Sequence, residues 1–202
     1  MHKLDHLAVA AASLAEAVEH VETSLGVRMG PEGKHDHMAT HNQLLGLGPS
    51  EYLEAIAIDP TPPAPPHRRW FRLDEFQGRP RLTNWIVRVK DIDIALAKAP
   101  PGAGQAVDLQ RGDFRWRMGV PQDGRLPFDD CHPALIEWQG GLKPPDRLAE
   151  SGCRLTRLEV AHPQSAAIGK LLHLDDPRVV FVQGAPALRA TFATPFGARV
   201  LE

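Results

Sequence analysis

LDHLAVA at Leu4–Ala10 reads as a short strand, and close versions of it return as LTNWIVRV at Leu82–Val89 and LTRLEVA at Leu155–Ala161. The openings lie 78 and 73 residues apart, and each is followed by a helical stretch of three turns or fewer and then by further strands. Each unit closes on a strand carrying a glutamate: Glu54 in YLEAIAI, Glu137 in ALIEW and Glu202 in ARVLE. In this alignment the third residue of the opening strand is His6, then Asn84, then Arg157. A regular period of this length marks repeated supersecondary modules with side chains at matching places.

Within the first unit, Ser13-Leu-Ala-Glu16 is a capping-box pattern that starts a helix. Leu14, Val18, Val21 and Leu25 share one helical face, and Gly26 ends it. Strands are expected at Val27–Met29, Met38–Leu47 and Tyr52–Ile58, which makes a β-α-β-β-β unit over residues 1–60. DPTPPAPP (Asp59–Pro66) is too rich in proline for helix or central strand and reads as a stiff connector spanning 61–80, with a short helix or turn at Trp70–Phe76. In the second unit, 81–140, Asp91 caps a short helix that Pro100-Pro101 ends, and strands follow at Gln105–Leu109, Phe114–Val120 and Ala134–Trp138. A third, degenerate unit spans 153–202, with Pro163 in a helix's first turn, Ala166, Ala167, Leu171 and Leu172 as its apolar side, and strands at Arg178–Val182, Leu188–Phe192 and Ala198–Leu201.

A chain of 202 residues is long enough to bury a substantial core. The net charge is −2 and no basic run exceeds HRR at His67–Arg69, so a nucleic-acid partner or a membrane surface is not expected. No window approaches the ~20 apolar residues of a membrane span, and the start lacks the pattern of a signal peptide. Two cysteines, Cys131 and Cys153, suit free thiols in a reducing compartment. A cytoplasmic location is expected.

Strand alternation puts His6, Ala8 and Ala10 on one side, and Tyr52, Glu54, Ile56 and Ile58 on one side of theirs. If both strands line a curved sheet, His6 and Glu54 face its concavity. An imidazole with a carboxylate is a partial site for Zn, Fe, Mn or Ni, and a carboxylate in an apolar cavity is alternatively a proton-transfer base. The bland alternative is a hydrogen-bonded structural histidine and an exposed glutamate. GKHDHMATHNQLLGLG crowds His35, His37 and His41, which share a face if the segment is extended; surface histidines are the ordinary alternative, His37 above all. Arg115 and Arg117 alternate with Phe114, Trp116 and Met118, as in a strand with one packed face and one wet face; one arginine at the cleft would pair an anionic substrate. Serine-nucleophile elbows, phosphate-cradling glycine loops and zinc-spaced cysteine pairs are absent from the sequence.

These residues resemble the glyoxalase-like proteins of the vicinal oxygen chelate superfamily, whose βαβββ modules pair into a cup around a small-molecule site. The resemblance rests on the LDHL opening, on His35, Thr40, Asn42 and Leu44 spaced as H-x-x-x-x-T-x-N-x-L, and on Tyr52–Glu54 followed by Asp59-Pro60. It extends to W-x-V-R-V (Trp85–Val89), F-R-W-R (Phe114–Arg117), L-P-F (Leu126–Phe128), the strand ending in Trp138, and LEVAHP (Leu158–Pro163). The fold it implies is α+β, with repeated βαβββ modules forming curved mixed sheets and helices on the outside. The superfamily implies a divalent metal held from the first and fourth strands of two paired modules. Carried over, the first module offers His6 and Glu54, with His41 or His35 as a further ligand. The second offers Asn84, where His or Gln is usual, and Glu137; the third offers Arg157, which cannot ligate, and Glu202.

On this resemblance the expected function is a metal-dependent enzyme of the glyoxalase or dioxygenase kind acting on a small oxygenated metabolite. His6, His41 and Glu54 would hold the ion and Glu137 would move the proton, with Asn42, Tyr52, Asn84, Arg88, Arg115 and Trp116 contacting substrate. The alternative is a metal-free module that binds or sequesters a small molecule against Tyr52, Trp85, Trp116 and Trp138; a collapsed, structural cup is a third. A homodimer is compatible with all three.

Overall fold

The computed structural model describes residues 2–202. Two sheets make the molecule, an eight-stranded one in the order β2-β3-β4-β1-β5-β8-β7-β6 and a four-stranded one in the order β10-β9-β11-β12. In the first half of the larger sheet, β1 (Lys3–Ala10) leads into α1 (Leu14–Leu25), then β2 (Glu32–His35), β3 (Thr40–Gly46) and β4 (Tyr52–Ile58). The second half repeats this with β5 (Arg81–Arg88), α2 (Ile92–Lys98), β6 (Gln105–Arg111), β7 (Phe114–Val120) and β8 (Ala134–Gln139). In each half the first strand pairs in parallel with the fourth, and the halves join where β1 runs antiparallel to β5. β2 and β6 are therefore the two edges, and the sheet curls until they approach one another.

Local chemistry explains the helices. Ser13 accepts from Glu16 N while the Glu16 side chain accepts from Ser13 N, a reciprocal cap of about 1 kcal/mol, and Gly26 closes α1 at φ 76°. Asp91 caps α2 by accepting from Ile94 N. The expected strand at Val27–Met29 does not form: the chain there is irregular, and β2 begins at Glu32.

The remaining chain forms β9 (Arg154–Ala161), α3 (Ser165–Leu171), β10 (Val179–Val182), β11 (Ala187–Thr194) and β12 (Gly197–Leu201). Its element order matches the other units but its strand order differs, because β10 lies directly beside β9 and β12 pairs only with β11. On α3 the buried side is Ser165 and Ile168 with Leu172 following, while Leu171 is exposed, so the apolar side assigned from Ala166, Ala167 and Leu171 is rotated.

Two apolar clusters follow from strand alternation. On the convex side of the large sheet Leu7, Val9, Leu53 and Trp85 pack under the helices and against Leu158, Val160, Ala190 and Phe192 of the small sheet. On the concave side Ala8, Ala10, Ile56, Ile86, Trp116, Met118, Ala134 and Ile136 surround Trp70, Phe71 and Leu73. Those three come from a 3-10 turn at Trp70–Glu75, so the connector after the prolines inserts its aromatic end into the cup. Cys131 and Cys153 are buried free thiols. Among the described residues no helix is long and apolar enough to cross a membrane.

Candidate functional site

His6, His35, Asn42, Glu54, Tyr52 and Trp116 border one small cavity inside the cup, with a volume of about 30 Å³. That is room for a water molecule or an ion rather than a metabolite. Three adjacent strands of the first half deliver its polar groups, with one more from the end of β2.

A bulge in β1 between Leu4 and His6 lets consecutive residues reach the concave side. Asp5 Oδ1 accepts from His6 Nδ1 at 2.8 Å, and Asp5 Oδ2 accepts from Trp138 Nε1 at 3.0 Å. Because a carboxylate only accepts, His6 carries a proton on Nδ1, and its Nε2 stands 3.7 Å from Glu54 Oε2. The Tyr52 ring stacks on His6 at 4.3 Å, and burial raises the Tyr52 phenol well above its ordinary pKa, keeping it protonated.

His35 arrives by a different route. A 3-10 turn at Asp36–Met38 with Ala39 at φ 47° closes the β2–β3 hairpin, so His35 pairs with Thr40, Lys34 with His41, and Gly33 with Asn42. His35 and Asn42 thereby share the concave face. Arg111 Nη1 donates to Asn42 Oδ1 at 2.7 Å, which turns the Asn42 amino group toward Glu54 Oε1 and toward His35 Nε2 at 3.3 Å. His35 Nε2 is then an acceptor, and its Nδ1 donates to Thr40 Oγ1 at 3.1 Å. Burial, reinforced by Arg111, pushes the His35 pKa down to about 3, so the ring is neutral. Its Nε2 lies 4.0 Å from Glu54 Oε1.

Two imidazoles flank one buried carboxylate, each with its Nδ1 engaged, as metal-binding histidines are. By chemistry the donor set fits a divalent ion in a two-histidine, one-carboxylate arrangement. As they stand, no three His, Cys, Asp or Glu side chains among the described residues form a closed metal-holding group; the two histidines address opposite oxygens of Glu54, and closing them requires that carboxylate to turn. The indole N–H of Trp70, which also borders the cavity, is buried without a partner in the protein. An oxygen ligand in the cavity would give it one.

Several expected site residues lie elsewhere. His41 falls on the convex side with Lys34, where its Nδ1 meets Glu32 at 3.1 Å; the intervening turn resets the alternation that placed it with His35. His37 stacks on His67 outside the cup. Glu137 also faces outward: its Oε2 accepts from Ile92 N at 2.7 Å at the start of α2, and its Oε1 from Gln139. The concave residues of β8 are Ala134, Ile136 and Trp138, and the register puts Ala134 where the first half has Glu54, so Glu137 is three residues out of step and an odd shift reverses the face. Glu137 is thus a helix-capping group and not a base in the cavity. Arg115 is exposed and donates to the carbonyls of Gly112 and Phe114 rather than facing the cleft. Arg88 approaches Asp5 at 3.6 Å without bordering the cavity. Asn84 is concave and buried, and both its amide atoms lack partners, but it borders a separate cavity of about 570 Å³. Phe71 borders both spaces. Arg157 is exposed and bound to Glu159, and Glu202 stands at the chain end near Arg189. Asp5 and Arg111 escape a reading of spacing: the bulge hides the first, and the second ends a strand whose neighbour FRWR draws the eye to Arg115 and Arg117.

The chain matches the model of a family described as a glyoxalase-like domain over residues 4–174. No curated protein matches it. A hypothetical protein from Staphylococcus aureus shares the fold at a TM-score of 0.55 and 13% identity, over 84% of this chain and 73% of that one. Methylmalonyl-CoA epimerase from Mycobacterium tuberculosis aligns at a TM-score of 0.43 and 20% identity, over 67% of this chain and 85% of that one. The paired modules, the curved mixed sheet and the family match over most of its length place this chain in the glyoxalase-like domain family of the vicinal oxygen chelate superfamily.

Proposed function

We propose that this chain is a metal-dependent enzyme acting on a small oxygenated substrate, with His6, His35 and Glu54 as the ligands of a divalent ion. The observation that carries the reading is the orientation of the two imidazoles: Asp5 and Thr40 engage the Nδ1 atoms, and the Nε2 atoms lie 3.7 and 4.0 Å from Glu54, that of His35 accepting from Asn42. A histidine buried for packing alone has no need of a fixed tautomer aimed at a shared carboxylate. A two-histidine, one-carboxylate set suits iron(II) or a related ion, which would polarise substrate oxygens if the cavity of about 30 Å³ widens to admit them.

The protein's own contributions are positioning and exclusion of water. Asp5 fixes the His6 tautomer and raises its basicity as a ligand, and the Tyr52 ring supports its face. Asn42 holds one Glu54 oxygen by a hydrogen bond, while Trp70, Trp116 and Trp138 wall the cavity and strengthen charge interactions inside it. With Glu137 outside, Asp5 bound to His6 and Trp138, and Glu54 assigned to the ion, the cavity keeps no carboxylate free to act as a dedicated base. This favours chemistry that needs no second carboxylate, the oxidative end of the superfamily, over isomerisation by a dedicated base.

A second reading, metal-free binding of a small molecule, is supported by an apolar groove of about 580 Å³ just outside the cavity. Metal analysis of protein loaded with iron(II) under anaerobic conditions separates the two. The enzyme reading predicts near-stoichiometric metal in wild type, loss of it in Glu54→Gln, and oxygen consumption with some member of a panel of small oxygenated metabolites. Wild-type protein that takes up none of iron, manganese, nickel or zinc would refute the enzyme reading and leave the binding module. Buried free thiols accord with a reducing, cytoplasmic setting.

A further inference from the structure

The seam where the curled sheet nearly closes carries an unusual cation. Arg111, the last residue of β6, extends across Gly33 of the opposite edge strand β2 to reach Asn42 on β3. A Cβ on Gly33 would lie 2.7 Å from Arg111 Nη1 and 3.0 Å from its Cδ, so a glycine is what allows the guanidinium to lie there. Phe114 supports it, with the guanidinium carbon 5.5 Å from the ring centroid.

Three other partly buried arginines have a carboxylate near them, Asp74 for Arg69, Asp5 for Arg88, and Glu51 and Asp176 for Arg178, while Arg81 spends its Nη1 on the backbone carbonyls of Gln77 and Arg79. Among the described residues Arg111 has none within 4.0 Å and gives one donor to a neutral amide oxygen. It borders both the small cavity and the groove of about 580 Å³, as do Leu44 and Pro144. The other charged side chains of that groove already have partners: Arg28 has Glu22, Arg147 has Asp113, Glu150 has Arg154, and Glu32 Oε1 lies 3.1 Å from His41 Nδ1. The rest of the lining is mostly apolar, including Met29, Leu44, Phe114 and Leu148.

We propose that Arg111 selects a monocarboxylate with an apolar body, binding the carboxylate at the mouth of the cup so that the body lies in the groove. The geometry suits this class. With Nη1 held by Asn42 and the plane supported by Phe114, the remaining N–H donors form a pre-oriented fork, which matches a carboxylate in two parallel hydrogen bonds. A doubly charged phosphate would call for further cations, and the groove's other arginines are neutralised. The inference rests on the enzyme reading only in that the substrate's reacting end would meet His6, His35 and Glu54.

The test is a titration of iron-loaded and metal-free protein with a series of aryl and branched aliphatic monocarboxylates, each beside its uncharged carboxamide, read by calorimetry and tryptophan fluorescence. Wild type is expected to prefer at least one acid over its amide by about tenfold or more, a typical scale for a charge-assisted pair. Arg111→Gln should abolish that preference, Arg111→Lys should restore part of it, and Gly33→Ala, which displaces the guanidinium but keeps its charge, should weaken it. A thermal melt and metal analysis of every variant separate seam closure from recognition. Equal binding of acid and amide across the series in wild type, or an acid preference that survives Arg111→Gln, overturns the proposal. Acid preference in a protein that takes up no metal would uphold Arg111 and refute the enzyme reading; metal uptake without acid preference would do the reverse.

Discussion

The two halves of the eight-stranded sheet share a topology and differ in what they put into the cup. The first half contributes Asp5, His6, His35, Asn42 and Glu54; the second contributes Ile86, Trp116, Met118, Ile136 and Trp138, with Arg111 at its edge. The cup is a polar wall facing an aromatic one. The duplicated fold thus preserves backbone positions, while one module supplies the donors and the other the desolvation that strengthens them.

The comparison breaks most visibly at Glu54. Glu54→Gln on the polar wall should reduce metal affinity at least ~100-fold, more than the 10–100-fold expected for the supporting change Asp5→Asn. Thermal stability of the apo form should move little, since glutamine can still accept from Asn42. On the other wall, Ile136→Ala should cost about 2–4 kcal/mol in a denaturant melt and leave metal affinity nearly unchanged. If Ile136→Ala instead empties the metal site, the division of labour is wrong.

Acid sensitivity sharpens the contrast. His132, just before β8, is buried with Nδ1 donating to the Pro133 carbonyl at 2.8 Å, and burial pushes its pKa down to about 4. A folded-state pKa below the unfolded value of 6.5 means the unfolded chain takes up the proton first. The stability from keeping His132 neutral is therefore complete above pH 6.5 and lost as pH falls from there through 4. The loss should reach ~3 kcal/mol at about 1.36 kcal/mol per unit, and His132→Gln should flatten that part of the stability–pH curve. A curve of unchanged slope in the variant would assign the sensitivity elsewhere. Smaller still, Glu137→Gln should cost about 1 kcal/mol through the start of α2 without touching metal affinity, and Arg115→Ala should stay within ~0.5 kcal/mol of wild type.

Local signals carried much of the architecture. The Ser13/Glu16 cap, Gly26, and the strands at Leu4–Ala10 and Tyr52–Ile58 depend on short-range chemistry, and His6 with Glu54 follows once those two strands pair. What the sequence hid were matters of parity. A 3-10 turn between His35 and His41 moves them to opposite faces, a bulge at Asp5 brings an extra carboxylate inward, and a three-residue offset sends Glu137 out. Each is an odd-numbered shift in a period-two pattern, and spacing along one chain does not register it. Arg111 was invisible for another reason. Its role depends on two sheet edges meeting, β2 and β6, which lie more than seventy residues apart in the chain.

The most direct test of the account is a metal titration comparing His35→Ala with His41→Ala. The account predicts that His41→Ala binds iron(II) like wild type while His35→Ala loses it at least ~100-fold, because only His35 shares the concave face with His6 and Glu54. Retained binding in His35→Ala, or loss in His41→Ala alone, would contradict it.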